Sequence, residues 1–270
     1  MRINDFTSGR DVVLEEEFLK NGYVIIPVEN REGLDDIWQL IADTTSETIG
    51  RPFDEDPGHL LNNIHEYLDV ENLNALRLAV ISKLRNTPWF RPTYYSLARE
   101  ALSRLVGNEL AMQRGVGLSV QLPNDDSSLL PIHADVWDGD SPFELVAWLP
   151  LVDCYATKSM YIVPSEVNTP FQGSMKQYQD GSAEDLFQAV EKDVLFLDVP
   201  YGSILLFSQT LMHGNRLNVE KETRWTMNCR FKSLMSPFSD KKLGEFFEPI
   251  TMRPATRMGI QYKLPEGFNE

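Results

Sequence analysis

After Gly107 the sequence changes from helical patterns to short β-rich runs, and this change constrains the fold more than any other feature. The runs are residues 112–121, 142–151, 159–163, 193–198, 203–208 and 222–234. Proline, glycine, asparagine and aspartate separate them, and one helical pattern, at about 182–190, interrupts them. Short strands with turn residues between them are typical of antiparallel sandwiches and barrels. The second half of the chain is therefore predicted to form two antiparallel sheets.

The first 107 residues are predicted to be mainly helical. The predicted elements are a helix, a strand and a helix within 11–48, a loop over 50–60, and helices at about 71–85 and 94–106. Asn21-Gly22 is a helix-stop signal before the apolar strand that begins at Tyr23. Helices followed by strands indicate an α+β fold. We expect a double-stranded β-helix, or cupin-like jelly roll, with the N-terminal helices packed on its outer sheet.

No linker composition separates the two halves, so residues 1–270 are predicted to form a single domain. Its expected parts are a helical cover over 1–107, a jelly-roll core over 108–235 and a C-terminal extension over 236–270. A hydrophobic content of 42% is ample for a core of this size.

Composition also restricts the classes of partner. The net charge of −15 argues against nucleic acid or an anionic membrane surface as the main partner. The N-terminus lacks the apolar run of a signal peptide and no stretch approaches 18 apolar residues, so a cytoplasmic location is expected. Cys154 and Cys229 lie far apart and are expected to be buried, reduced thiols. No pattern indicates an oligomeric state.

A possible metal-binding set comprises His133 and Asp135, in a His-x-Asp pattern, and the distant His213. His-x-Asp alone is a weak signal, but residues i and i+2 of a strand point the same way and can reach one metal. Two imidazoles and one carboxylate form the facial triad that holds Fe(II) and leaves positions open for a co-substrate and O2. A structural role for His213 in a buried turn is the alternative.

Arg224 follows His213 by eleven residues, after a predicted turn at 218–221. A guanidinium there can bind the far carboxylate of 2-oxoglutarate through two charge-assisted hydrogen bonds. The alternative is a surface arginine paired with Glu220 or Glu222.

Two of the predicted strands carry one apolar and one polar face. The polar faces consist of Gln113, Gly115, Gly117, Ser119 and Gln121 in one strand and Arg224, Thr226, Asn228 and Arg230 in the other. Such a face is solvated in an ordinary half-exposed sheet. Because the N-terminal helices need an apolar face to cover, we favour a polar face that lines a cavity.

These residues lie within a broader resemblance to the phytanoyl-CoA dioxygenase-like group of Fe(II)/2-oxoglutarate oxygenases. The matching segments are residues 18–26, the His133/Asp135 pair, Trp148, residues 202–214, Arg224 and residues 229–233. Residues 127–133, 137–144 and 157–161 further resemble a bacterial subgroup associated with carbohydrate biosynthesis clusters. One departure is Asn215, where the group often has serine or threonine that helps to hold the co-substrate.

The resemblance implies an Fe(II)- and 2-oxoglutarate-dependent dioxygenase that hydroxylates or otherwise oxidises a small hydrophilic substrate. A sugar or activated sugar in polysaccharide or secondary-metabolite biosynthesis is expected. The metal ligands are then His133, Asp135 and His213, and the residues expected at the co-substrate are Arg224, Asn215, Gln121 and Trp148. The residues expected at the substrate are Trp137, Asp138, Gln113 and Arg230. The alternatives are a cupin-like sugar isomerase or epimerase that does not use O2, and a non-catalytic binding module.

Overall fold

The computed structural model describes residues 9–52 and 56–267. Its strands form two antiparallel sheets. The strands are β1 (Tyr23–Pro27), β2 (Leu110–Gln113), β3 (Gly117–Gln121), β4 (Glu144–Pro150), β5 (Tyr161–Ile162), β6 (Leu195–Phe196), β7 (Ser203–Ser208), β8 (His213–Gly214), β9 (Arg224–Ser233) and β10 (Phe247–Pro249). The large sheet has the order β1-β7-β4-β9-β2-β10, and β3 also pairs with β9. The small sheet has the order β6-β5-β8.

Most helices precede the jelly roll in the sequence. They are α1 (Gly9–Asn21), α2 (Arg31–Ile49), α3 (Pro57–Asn62), α4 (Val70–Arg85), α5 (Phe90–Ser96), α6 (Arg99–Leu105), α7 (Ser165–Gly173), α8 (Ala183–Val190) and α9 (Pro254–Gln261). Local signals set several of their ends. The Asn30 side chain accepts a hydrogen bond from the Gly33 N–H at the start of α2, and Gly50 ends that helix with φ of 68°.

The N-terminal helices cover the outer face of the large sheet. Trp225 of β9 is fully buried and donates its indole N–H to the Leu61 carbonyl of α3 at 2.8 Å. Tyr94 of α5 is also buried and donates its hydroxyl to the Ala147 carbonyl of β4 at 2.9 Å. Apolar side chains of the helices and strands form one continuous core between these layers. The predicted α+β jelly roll with a helical cover is confirmed.

Two predicted elements are each divided in the structure. The strand predicted over 112–121 is two strands, because four residues of this segment (113–116) face a shorter stretch of β9 and interrupt the pairing. The helix predicted over 94–106 is divided between α5 and α6. The Glu29 carboxylate accepts hydrogen bonds from the Glu100 and Ala101 N–H groups and so begins α6 separately. Because Glu29 lies 71 residues before Glu100, the sequence around α6 contains no signal for this cap.

The loop predicted over 50–60 was wrong at its end. Pro57 begins α3, and the Asp56 side chain accepts a hydrogen bond from the Gly58 N–H as its N-cap. Asp followed by Pro is a recognised helix start, which the loop-like composition obscured. Residues 53–55 of the predicted loop lie outside the described residues.

Elements beyond the predicted core also join the fold. The prediction contained neither α7 nor β10, and β10 pairs with β2, so part of the expected C-terminal extension belongs to the large sheet. No helix within residues 9–52 and 56–267 has the length and apolar character needed to cross a membrane.

Replacing Tyr94 by phenylalanine tests the attachment of the helices to the sheet. Tyr94→Phe removes a buried hydrogen bond to the Ala147 carbonyl and should lower the free energy of unfolding by about 1 kcal/mol. Tyr95→Phe is the matched control, because it removes the same hydroxyl group from the adjacent residue of α5, which is only partly buried. Urea denaturation of both variants measures the difference, and equal stabilities would contradict this attachment.

Candidate metal centre

His133 and His213 are held together by their own backbones. The His133 N–H donates to the His213 carbonyl at 3.0 Å, and the His213 N–H donates to the His133 carbonyl at 2.8 Å. His213 lies in β8, so this reciprocal pair adds His133 to the edge of the small sheet. Residues 80 apart in the sequence thus become direct neighbours.

The expectation that His133 and Asp135 share a strand was wrong in detail. His133 lies in a single β-bridge, and Asp135 begins a short 3₁₀ turn, Asp135–Asp138. Ala134 between them is nevertheless extended, with φ of −115° and ψ of 132°. The spacing of two therefore still directs both side chains to one side of the backbone.

The three side chains converge on one point. One ligand atom from each of His133, Asp135 and His213 lies within 4.8 Å of the others. The Asp135 Oδ1 atom is 3.8 Å from His133 Nε2, and Asp135 Oδ2 is 3.9 Å from His213 Nε2. These separations leave room for an ion between the three groups, and two imidazoles with one carboxylate are donors that suit Fe(II).

Each imidazole is oriented by a hydrogen bond to the carbonyl oxygen of the residue two positions earlier. His133 Nδ1 lies 2.8 Å from the Pro131 carbonyl oxygen, and His213 Nδ1 lies 2.9 Å from the Leu211 carbonyl oxygen. A carbonyl can only accept, so each Nδ1 carries the proton and each Nε2 keeps its lone pair for a metal. Burial lowers the pKa of His213 to about 4, although Asp135 opposes this, so its imidazole is neutral at pH 7.

Arg224 is a buried cation. Its Nη2 donates to Ser119 Oγ at 3.2 Å, and its buried Nε has no hydrogen-bond partner among the residues that the structure describes. No carboxylate within the described residues forms an ion pair with it; Glu222 pairs with Lys158 at 2.6 Å instead. The surface ion pair that we considered for Arg224 is therefore absent from the described part of the chain. Burial lowers the pKa of this guanidinium to about 10.

Arg224 and the three metal-ligand candidates line one cavity of about 240 Å³. Its other lining residues are Ser119, Leu130, Asp138, Val146, Trp148, Met160, Phe207, Gly214, Asn215, Thr226, Asn228 and Arg230. The polar face of β9 thus points into the cavity, as we expected, while Trp225, Met227 and Cys229 are buried on the opposite side.

Two residues expected at the co-substrate bind each other. The Asn215 amide donates to Gln121 Oε1 at 3.2 Å and to the Ser128 carbonyl at 3.1 Å, so its donors are already in use. Gln121 is fully buried, donates to the Arg216 carbonyl at 3.0 Å and does not line the cavity. In this arrangement they support the cavity wall, and direct contact with a co-substrate stays a prediction.

The residues expected at the substrate are divided between the cavity and its surroundings. Asp138 lines the cavity, whereas the indole N–H of Trp137 donates to Gln172 Oε1 at 3.4 Å outside it. The interrupted strand pairing leaves the Arg230 backbone N–H without a strand partner. This N–H donates to Gln113 Oε1 at 3.1 Å instead. Gln113 therefore stabilises β9 here. Arg230 donates to Asp135 Oδ1 at 2.8 Å, directly beside the candidate metal site.

Sequence reasoning missed a buried glutamate near this site. Glu144 accepts hydrogen bonds from the Ser141 N–H and from Gln209 Nε2, each at 3.1 Å. Burial raises the pKa of Glu144 to about 7, with the Ser141 hydrogen bond lowering it and the neighbouring Asp140 raising it. The only sequence signal is an acidic residue that opens an otherwise apolar run.

Comparison with solved structures agrees with this fold. A non-haem monooxygenase, ThoJ in complex with nickel, has a TM-score of 0.55 at 13% identity, covering 88% of this chain and 84% of ThoJ. HygX from Streptomyces hygroscopicus, with nickel and 2-oxoglutarate bound, has a TM-score of 0.51 at 13% identity, covering 87% and 90%. EctD from S. alaskensis, with 2-oxoglutarate and 5-hydroxyectoine, has a TM-score of 0.53 at 13% identity, covering 86% and 78%.

The likeness to these three structures concerns the fold, which is the jelly roll described above. No protein-family model and no curated protein matches the sequence. Within this fold the chain brings two histidines and an aspartate together.

The raised pKa of Glu144 predicts a pH-dependent stability. Between pH 4.5 and about 7 the folded state retains a proton that the unfolded state has lost, so stability should fall as pH rises through this window. Glu144→Gln removes the titration and should flatten the slope, as measured by urea denaturation from pH 5 to pH 8. Glu32→Gln, on the exposed surface of α2, should keep the wild-type slope. Equal slopes for wild type and Glu144→Gln would contradict the assignment.

Proposed function

We propose that this protein is an Fe(II)- and 2-oxoglutarate-dependent dioxygenase that oxidises a small hydrophilic substrate. One observation carries the proposal: a cluster of two histidines and an aspartate lines the same cavity as a buried arginine that has no carboxylate partner within residues 9–52 and 56–267. A fixed cation at that place needs an anion to compensate its burial. The distal carboxylate of 2-oxoglutarate provides one.

His133, Asp135 and His213 would hold the iron, and their oriented Nε2 lone pairs and carboxylate are the donors it requires. Bound iron with 2-oxoglutarate supplies the activation of O2. Arg224 binds the far carboxylate by charge-assisted hydrogen bonds, and Ser119 keeps the guanidinium in place. Trp148, Val146 and the apolar residues beside them form the apolar part of the cavity wall.

We further propose a sugar or activated sugar as the substrate, hydroxylated or desaturated in polysaccharide or secondary-metabolite biosynthesis. Asp138, Thr226 and Asn228 supply polar groups at the cavity wall, which suit a substrate rich in hydroxyl groups. Trp137 is 38% exposed and adjacent to Asp138 in the sequence, and its indole would pack against a sugar ring that extends from the cavity. The resemblance to the carbohydrate-cluster subgroup agrees with this class of substrate.

Turnover measurements test the proposed function. Succinate release from 2-oxoglutarate should require both Fe(II) and O2, and His133→Ala, Asp135→Ala and His213→Ala should each reduce it to background because each removes a metal ligand. His59→Ala in α3 is the matched control and should retain turnover. Product formation from a sugar without O2 would instead support the isomerase alternative, and full turnover in any triad variant would contradict the metal assignment.

Arg224→Met tests the role of the buried guanidinium. Without ligand, the variant should be at least as stable as wild type, because an uncompensated buried charge lowers the stability of the fold. Adding 2-oxoglutarate to protein already saturated with Mn(II) should raise the melting temperature of wild type further but not that of the variant. Thermal denaturation with Mn(II) alone and with Mn(II) plus 2-oxoglutarate measures this. Equal stabilisation of the two proteins would show that Arg224 does not bind the co-substrate.

A further inference from the structure

Four side chains of alternating charge extend from the candidate metal site to the C-terminal extension. Arg230 Nη2 donates to Asp135 Oδ1 at 2.8 Å. Arg230 Nε lies 3.1 Å from Asp140 Oδ1, as an ion pair without hydrogen-bond alignment. Lys241 Nζ pairs with Asp140 Oδ2 on the other side. Arg230 therefore bridges two carboxylates, one of which is a metal-ligand candidate.

Most of the charged groups in this arrangement are shielded from solvent. The side chains of Asp140 and Asp135 are 0% and 8% exposed, and that of Arg230 is 19% exposed. Charges in such surroundings interact more strongly than at the surface, and each needs a close partner. A planar guanidinium presents several donors in fixed directions, so Arg230 can engage both carboxylates at once. A lysine ammonium at the end of a flexible side chain cannot reproduce this geometry.

The backbone on both sides holds the four charges in place. Arg230 lies in the middle of β9, where Val146 of β4 is its partner residue. On the other side, the Asp240 N–H donates to the Gly139 carbonyl at 3.2 Å, and Ser141 Oγ donates to the Pro237 carbonyl at 2.8 Å. The segment from Asp135 to Asp140 is thus enclosed between β9 and residues 237–241.

We propose that Arg230 is a positioning residue that holds the Asp135 carboxylate in its metal-binding orientation, supported by Asp140 and Lys241. With Oδ1 engaged by Arg230, Oδ2 is the oxygen left for the metal, and the carboxylate does not need to be ordered when the ion binds. This role replaces the substrate contact expected for Arg230 from the sequence. It rests on the proposed function only in taking His133, Asp135 and His213 as metal ligands.

Metal binding without co-substrate or substrate tests this role. Co(II) is titrated into wild type and Arg230→Lys, and visible absorption and calorimetry give the dissociation constant. Loss of a partner that orients a metal ligand typically weakens metal affinity by about 10–100-fold, and we expect that range for Arg230→Lys. Its Co(II) spectrum should also differ from that of wild type. Arg31→Lys, in an exposed ion pair with Asp35, is the matched control and should leave both properties unchanged.

Two further variants keep the test decisive if Arg230→Lys does not fold, which circular dichroism reveals. Asp140→Asn and Lys241→Met alter the far side of the bridge and leave the Arg230–Asp135 contact, so each should weaken Co(II) binding relative to wild type, by less than about 10-fold. Wild-type Co(II) affinity in all folded variants would overturn the positioning role. If only the KM for substrate rose, Arg230 would bind substrate instead. A wild-type protein that binds no Co(II) would overturn the proposed function as well.

Discussion

The reciprocal backbone hydrogen bonds between His133 and His213 are the interaction on which the site depends. They bring together two residues that lie 80 positions apart and place both imidazoles on the same side of the small sheet. Asp135 then follows His133 by one extended residue, so the third donor reaches the same point. The carbonyl two residues before each histidine determines which ring nitrogen is free. Backbone geometry alone thus accounts for most of the metal-binding arrangement.

Arg224 and Arg230 both line the cavity but differ in how their buried charge is compensated. Arg230 lies between two carboxylates and is compensated within the protein. Arg224 has a serine hydroxyl and no carboxylate partner within the described residues. A protein gains no stability from a buried cation left in this state, and for this reason we propose that a bound ligand supplies the missing charge. This difference supports the two roles that we propose, ligand binding for Arg224 and orientation of Asp135 for Arg230.

The fold and the residues of the cavity wall could be predicted from the sequence because both follow from the short-range periodicity of apolar and polar residues. Alternation in β9 assigns Arg224, Thr226 and Asn228 to one face, and a covered opposite face makes that face the cavity wall. The roles of Gln113 and Glu29 could not be predicted from the sequence. Gln113 compensates an interrupted strand pairing, and Glu29 caps a helix far along the chain. Such contacts depend on tertiary geometry, which local patterns do not contain.

The same limit applies to Arg230. Its place on the polar face was predictable, but its bond to Asp135 depends on how the 3₁₀ turn approaches β9. From the sequence, a cation on a cavity wall is as suited to a substrate as to a metal ligand. Only the distances between the side chains distinguish the two roles.

The most direct measurement is an anomalous diffraction experiment at the iron absorption edge, on crystals grown without oxygen in the presence of Fe(II) and 2-oxoglutarate. The account predicts one strong peak coordinated by His133, Asp135 and His213, with the distal carboxylate of 2-oxoglutarate on Arg224. A cavity without an iron peak, or iron bound at a different set of side chains, would contradict it.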